Sequence, residues 1–391
     1  MDQRRSKVTL GLGALVLAAA ACQGSLGGST QSDPENEQGQ TPVDLAGTAI
    51  GTDKQTVLDE RNLSFTDAIR TASLKLTDNL PSLQTIRDME KAADQRVAYE
   101  QAIDTMFDSS TFKRRMLRWA RDTFRQGGGA MDSAPALLAR IVVEGRPLAE
   151  LFTASSNNCP SFDGATNEFV DGECANGAPV QAGVLTNPGT MKQFYSSMAF
   201  RRVRWVQEVF ACTKFPAEYS EITVEMGAGQ FTSPWDFTSI SNTPINFHDT
   251  SAVVCANCHT SMNHIAPLFA NFDQDGMWKD SVQVMTPTAP DPQKTAFSHW
   301  LSPGEATAWR FGKPTKDLAE LGQALASDPE VTNCMVARLW NLTMSKEDIV
   351  SDLATVPMKV VAPFIEQTAT NGGNLKETLK AMLKSDDFTR F

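Results

Sequence analysis

The chain has 391 residues, 41% of them hydrophobic, and 46 Asp and Glu against 35 Lys and Arg give a net charge of −11. That acidity excludes nucleic acid and anionic lipid surfaces as main partners. The apolar content is ordinary for a globular protein, which excludes a wholly disordered chain.

Residues 1–22 read as a bacterial export signal. Arg4, Arg5 and Lys7 make a basic start, and Val8 to Ala21 is an uncharged apolar run. The run is short of the roughly 20 residues needed to span a bilayer. It ends in Ala19-Ala20-Ala21-Cys22, which resembles a lipobox. The resemblance implies that Cys22 is acylated and becomes the new N-terminus, carrying enough chains for durable attachment to a membrane. Gln23 stands where Asp would be the usual inner-membrane retention signal, so sorting to the outer membrane is favoured. The expected location is the bacterial cell envelope, as an outer-membrane lipoprotein facing the periplasm. Residues 1–21 carry three positive charges and one negative, so the mature chain is near −13. Residues 23–56 are polar, rich in Gly, Ser, Gln and Thr, and read as a disordered tether.

The next segment, Leu58 to about Phe124, has helical periodicity. It opens on Ser64-x-x-Asp67, a capping-box pattern, ahead of Ala68, Ile69, Ala72 and Leu76. Ile103, Met106 and Phe107, then Phe112, Met116, Leu117 and Ala120, give two more apolar faces, and Gly127-Gly128-Gly129 ends the unit. A helix is expected over Ala134 to Val143. Arg114, Arg115, Arg118 and Arg121 form a basic face, read as solvated and paired with nearby acids, with a contact to a partner or to the carboxylates of a cofactor as the alternative. Met191 to Ala211 reads as one helix with Phe194, Met198, Val203, Val206 and Phe210 inward. Thr213 to Thr250 has no helical period and reads as long loops. Further on, Ser327-x-x-Glu330 and Ser345-x-x-Asp348 resemble helix starts, and Val331, Met335, Leu339 and Leu342 line one face. Leu375, Leu379, Met382 and Leu383 line the last helix.

Between the helical flanks lies Cys255-Ala256-Asn257-Cys258-His259. Cys-x-x-Cys-His is the attachment signature of a c-type haem. The thiols of Cys255 and Cys258 add to the two vinyl groups, and His259 becomes the proximal iron ligand. A proximal histidine donates its second ring N–H to an acceptor that orients it. Pro267, eight residues on, offers a carbonyl for this, or else is a turn proline. Leu268, Phe269, Phe272 and Trp278 would pack around the porphyrin, or serve as ordinary core. The sixth ligand stays open. Met277 is the first choice; Met285, His248 and His299 are possible, while Met262 and His264 lie too near His259 to cross easily to the other haem face. A Met ligand gives an electron carrier, and an open position allows catalysis. A zinc set of Cys255, Cys258, His259 and His264 would close awkwardly because two of its members are adjacent. A thioredoxin-like pair has thin support. Asn271 to Gly276 mimics the start of a calcium loop, but Val282 stands where the bidentate Glu belongs, so the segment reads as a turn.

Seven cysteines sort into Cys22 for lipid, Cys255 and Cys258 for haem, and four more in an oxidising compartment. Of the three possible pairings, Cys159–Cys174 with Cys212–Cys334 is favoured, because the first closes a short polar loop and the second ties the segment before the haem motif to a C-terminal helix. Each could instead be a small buried thiol.

The stretch Cys255 to Trp278 resembles the haem-binding segment of planctomycete-type cytochrome c proteins, a group of uncharacterised domains. Their pattern C-x-x-C-H-x-x-M, an apolar stretch, then F-D-x-x-G-x-W, is met by Cys255, Cys258, His259, Met262, Phe272, Asp273, Gly276 and Trp278. Arg201 to Val206 and Cys212 resemble the same domain's opening helix. Residues 321–388 are similar to the family's C-terminal helical domain, and residues 64–120 to its N-terminal one. There the pattern L-x-L-T-G-x-x-P is expected, and Leu74 to Pro81 has Asp78 in place of the glycine. The resemblance keeps Met262 as a haem-contact candidate.

The expected fold is mainly α, with helical domains flanking a cytochrome c-like haem segment that carries long irregular loops. Expected boundaries are a signal peptide at 1–22, a tether at 23–56, an N-terminal helical domain at 57–153, a haem domain at 189–312 and a C-terminal helical domain at 313–391. The expected function is electron transfer by a lipid-anchored protein with one covalent haem c (iron), serving an envelope redox partner. The alternatives are a peroxidase-like or oxidative haem enzyme, and a structural or binding lipoprotein without a redox role.

Overall fold

The computed structural model describes residues 54–213, 253–286, 289–310, 313–346, 348 and 356–391, with the backbone alone for 54–55 and 253–258. The signal peptide, Cys22 and the tether up to residue 53 lie outside these residues. So do 214–252, which hold most of the expected loop segment and His248. The fold is mainly α, as the periodicity predicts. Among the described residues no helix is long and apolar enough to cross a membrane.

Five helices follow in close succession: α1 (Lys54–Asp59), α2 (Phe65–Thr77), α3 (Leu83–Lys91), α4 (Gln95–Phe107) and α5 (Ser110–Phe124). Ser64 caps α2, its Oγ accepting from the Asp67 amide at 3.3 Å. The capping box is half-formed. The Asp67 carboxylate takes the Ser64 hydroxyl at 2.6 Å, and the Ser64 amide instead donates to Thr389 O of the last turn. Asp78 ends α2 in the left-handed conformation, φ 58. That is the conformation a glycine, expected at this position from the resemblance, would adopt without strain. Asp tolerates the left-handed region better than most residues, and its carboxylate meets Arg118 at 2.8 Å and Arg115 at 3.6 Å. With Arg121 on Asp132 at 2.7 Å, three arginines of the basic face of α5 meet acids, and Arg114 is exposed.

Helix α6 (Ser133–Glu144) buries almost every side chain against α5 and ends at Gly145, φ 68. After the short α7 (Glu150–Thr153) comes a hairpin of β1 (Ser161–Asp163) and β2 (Glu168–Val170), pairing Ser161 with Val170. Cys159 and Cys174 are joined across its base, Cα–Cα 5.0 Å.

The single helix expected over Met191 to Ala211 is instead two, α8 (Pro188–Gln193) and α9 (Phe200–Phe210). The break falls at Tyr195-Ser196-Ser197. Serine hydroxyls compete with the helical ladder: Ser196 Oγ accepts the Arg201 amide at 3.2 Å, Ser197 Oγ the Met285 amide at 2.7 Å. Helix α10 (Val253–Phe269) packs on α9. Two small two-stranded ladders follow, Gln283–Val284 with Gln293–Lys294 and Ala308–Arg310 with Lys313–Pro314.

Helix α11 (Leu318–Ala326) leads to α12 (Pro329–Thr343). The cap of α12 is Asp328, not the expected Ser327, which ends α11. Pro329 occupies the first helical position and forces the residue before it into extended backbone. Asp328 therefore holds the cap geometry and accepts from the Glu330 amide at 3.0 Å. The helix expected to start at Ser345 would fall mostly on residues 347 and 349–355, which lie outside the described residues. Helices Met358–Thr370, Leu375–Lys384 and Asp386–Thr389 close the chain, the second burying Leu375, Leu379, Met382 and Leu383. One contiguous apolar cluster runs from Phe65 to Phe388.

Candidate functional site

The Cys-x-x-Cys-His motif lies in the first turns of α10. Cys255, Cys258 and His259 stand at i, i+3 and i+4, which places them on one face of the helix. The side chains of Cys255 and Cys258 lie outside the described residues. That of His259 is described. Its Nδ1 is 3.3 Å from Asn263 Oδ1, and its ring meets Phe200 of α9 edge-on, centroids 4.7 Å apart at 85°. Burial pushes the imidazole down to about 4, against the Asn263 hydrogen bond, which favours the charged form. At neutral pH the ring is unprotonated, the form in which an imidazole nitrogen binds a metal.

Pro267 is neither a turn proline nor the acceptor for His259. It sits inside α10, and its carbonyl takes the Ala270 amide at 3.2 Å. Eight residues along a helix is about 12 Å, well beyond the reach of an imidazole. One turn, from His259 to Asn263, is the spacing at which helical side chains meet. The Asn263 and Phe200 contacts were missed in the sequence; the i+4 spacing was the available signal for the first.

The rest of the helix is locked into the fold. Ser261 Oγ lies 3.0 Å from Gln207 Nε2 of α9. His264 Nδ1 is 2.8 Å from Thr260 O, and its Nε2 lies 3.5 Å from Glu305 Oε2. Met262, Ile265, Ala266, Leu268, Phe269 and Phe272 are buried in the main core. At the far end, buried Arg202 of α9 gathers the chain. Its Nε and Nη2 donate to Met191 O at 3.0 and 2.7 Å. Its Nη1 donates to Phe269 O and Phe272 O at 2.9 and 2.8 Å, and Nη2 also to Asp273 O at 2.9 Å. These five bonds use all five guanidinium N–H groups. Burial pushes this guanidinium down to about 10, opposed by Tyr195 and Asp273, so it stays charged.

The segment from Asn271 to Gly276 is a turn. Asp273 Oδ1 accepts the amides of Asp275 and Met277, both at 2.9 Å, and Phe272 bridges to Trp278 with their rings edge-to-face. Gly276 has φ 77, and a Cβ there would fall on the Pro188 carbonyl. The Trp278 amide donates to Asn176 O at 2.8 Å, docking the Cys159–Cys174 loop against the end of the motif segment. The second disulfide joins Cys212, just past α9, to Cys334 of α12, Cα–Cα 5.5 Å.

The sixth-ligand candidates are scattered. Met277 is partly buried in the turn beyond α10, Met262 is buried one turn from His259, Met285 is 49% exposed and His299 lies beside Trp300 with the two rings tilted at 48°. Among the described residues no three His, Cys, Asp or Glu side chains gather as a metal site.

Residues 181–282, spanning α8, α9, α10 and the turn, match the family model PSCyt3, described as "Protein of unknown function (DUF1588)". The name is one associated with planctomycete cytochrome c proteins, and the domain is uncharacterised. No curated protein and no solved structure matches the chain.

Proposed function

We propose that this chain is an envelope lipoprotein that carries one covalent c-type haem and transfers single electrons. The observation that carries the reading is the register of α10. Two cysteines and a neutral histidine share one face of a helix, at the spacing that thioether attachment and proximal ligation require. That arrangement supports haem as the group. Haem, when bound, supplies the one-electron couple. Cys255 and Cys258 would hold the porphyrin and His259 the iron. The chain's own work is to orient His259 through Asn263 and Phe200 and to hold the far end of α10 through Arg202. The family match over residues 181–282 supports the same reading.

The lipobox-like Ala19-Ala20-Ala21-Cys22 supports anchoring of the mature protein through Cys22. Export supports the haem reading in turn, because bacterial c-type haem is attached outside the cytoplasm.

The test is a pyridine haemochrome spectrum with intact-mass analysis, on protein exported by a host with haem-attachment machinery. A c-type band and one porphyrin adduct, both lost in Cys255→Ala with Cys258→Ala, are expected. Colourless protein of unmodified polypeptide mass overturns the reading. A reduced form that binds carbon monoxide, or reacts with peroxide, would move the assignment from carrier to enzyme. Labelled palmitate incorporation, abolished by Cys22→Ala, checks the anchor.

A further inference from the structure

We propose that Asn263 is the positioning residue of the haem site: its side-chain oxygen fixes the proton of His259 on Nδ1, presents Nε2 to the iron and tunes the iron's potential. The inference rests on the haem reading above. It adds a residue that the Cys-x-x-Cys-His motif does not contain.

Asn263 is 2% exposed and one helical turn after His259. Its Oδ1 faces His259 Nδ1 at 3.3 Å. An amide oxygen only accepts, so Nδ1 carries the proton and the lone pair lies on Nε2. Phe200, edge-on to the same ring at 4.7 Å, restrains its plane. The hydrogen bond thus sets which nitrogen ligates, and the aromatic contact sets the ring's orientation. The neighbouring polar groups of α10 are engaged elsewhere: Thr260 O with His264, and Ser261 Oγ with Gln207.

Acceptor strength then becomes a control on the metal. A stronger acceptor on the distal N–H makes the ligating imidazole more basic. A more basic ligand favours the oxidised iron. A neutral amide is a weaker acceptor than a carboxylate. Asn263→Asp should therefore lower the midpoint potential, and Asn263→Leu, which removes the acceptor at similar volume, should raise it.

Two readouts on the full-length chain test this. The first is the midpoint potential of wild type, Asn263→Asp and Asn263→Leu, measured by spectroelectrochemistry on haem-loaded protein. The second is the His259 tautomer, read from long-range proton–nitrogen correlations on the same chains exported without haem attachment. We expect the proton on Nδ1 in wild type and Asn263→Asp, a move towards Nε2 in Asn263→Leu, and the order Asp below Asn below Leu in potential. A wild-type ring protonated on Nε2 overturns the proposal whatever the variants do. So does an Asn263→Leu chain, folded by circular dichroism, with unchanged tautomer. Failure of the wild type to take up haem in a competent host removes the cofactor reading, and the tautomer comparison still decides on Asn263.

Discussion

Every N–H of the Arg202 side chain ends on a backbone carbonyl, and no carboxylate is needed to hold it. Lysine has three donors on a flexible stem and cannot reproduce that planar fork. Arg202→Lys should therefore destabilise the protein by about 3 kcal/mol, through buried carbonyls left without donors. Urea denaturation measures this, and a loss below about 1 kcal/mol would show the fork to be dispensable. The arginine was visible in the sequence as part of Arg201-Arg202-Val203-Arg204, but its role was not. The outer arginines of that run, Arg201 and Arg204, face solvent, and only the folded arrangement brings the carbonyl of Met191 in α8 together with those of Phe269, Phe272 and Asp273 at and just past the end of α10. His264 gives a pH prediction. Burial pushes it from 6.5 down to about 4, opposed by the Thr260 carbonyl and by Glu305. The unfolded chain takes up this proton at higher pH than the folded one. The stabilisation is therefore present above about pH 6.5 and is lost as pH falls towards about 4, at no more than about 1.4 kcal/mol per pH unit. Urea midpoints at pH 7 and pH 5 should differ more in wild type than in His264→Gln. Equal differences would assign the acid sensitivity to other groups.

Helix α9 is the element on which the site is built, and it is tied at both faces. Arg338 of α12 donates to Val209 O at 3.0 Å and Glu208 O at 2.9 Å, satisfying carbonyls of its last turn. Asp348 balances the charge at 2.5 Å. The Cys212–Cys334 bridge adds a covalent tie beside these bonds. Replacing both cysteines by alanine should cost about 2–4 kcal/mol, measured by thermal or urea unfolding under oxidising conditions. An unchanged midpoint would mean that Arg338 alone suffices to dock the two helices. The existence of most helices was legible, because apolar periodicity reports burial directly. Their joints were less so. The break before α9 depends on two serine hydroxyls finding partners, Arg201 and Met285, one of them far along the chain. The cap of α12 depends on how Pro329 constrains its predecessor. Pro267 lies within a helix because the surrounding core outweighs the local penalty, a competition that periodicity cannot rank.

At the scale of the molecule, the buried side chains from Phe65 to Phe388 form one cluster. Segments expected to be three domains share that core: Tyr99 of α4 donates to Leu383 O near the C-terminus at 2.6 Å, and Lys75 of α2 to Leu342 O of α12 at 2.7 Å. Thermal unfolding followed by far-ultraviolet dichroism and by tryptophan fluorescence should give coincident curves. Two separated transitions would show that the cluster is not one cooperative unit. The mainly helical class and the two favoured cysteine pairings were within reach of the sequence, since the class rests on short-range pattern, and the short polar loop between Cys159 and Cys174 leaves Cys212 to pair with the distant Cys334. The sharing of one core was not, because it depends on which faces meet after folding.

The grip of Arg202 on the carbonyl end of α10 has a mechanical corollary. About ten residues separate that grip from His259, a rigid arm of about 15 Å, so a tilt of only about 4° at the pivot sweeps the imidazole sideways by about 1 Å. Remote substitutions at the pivot should thus broaden the spread of His259 ring orientations without touching any atom near the motif.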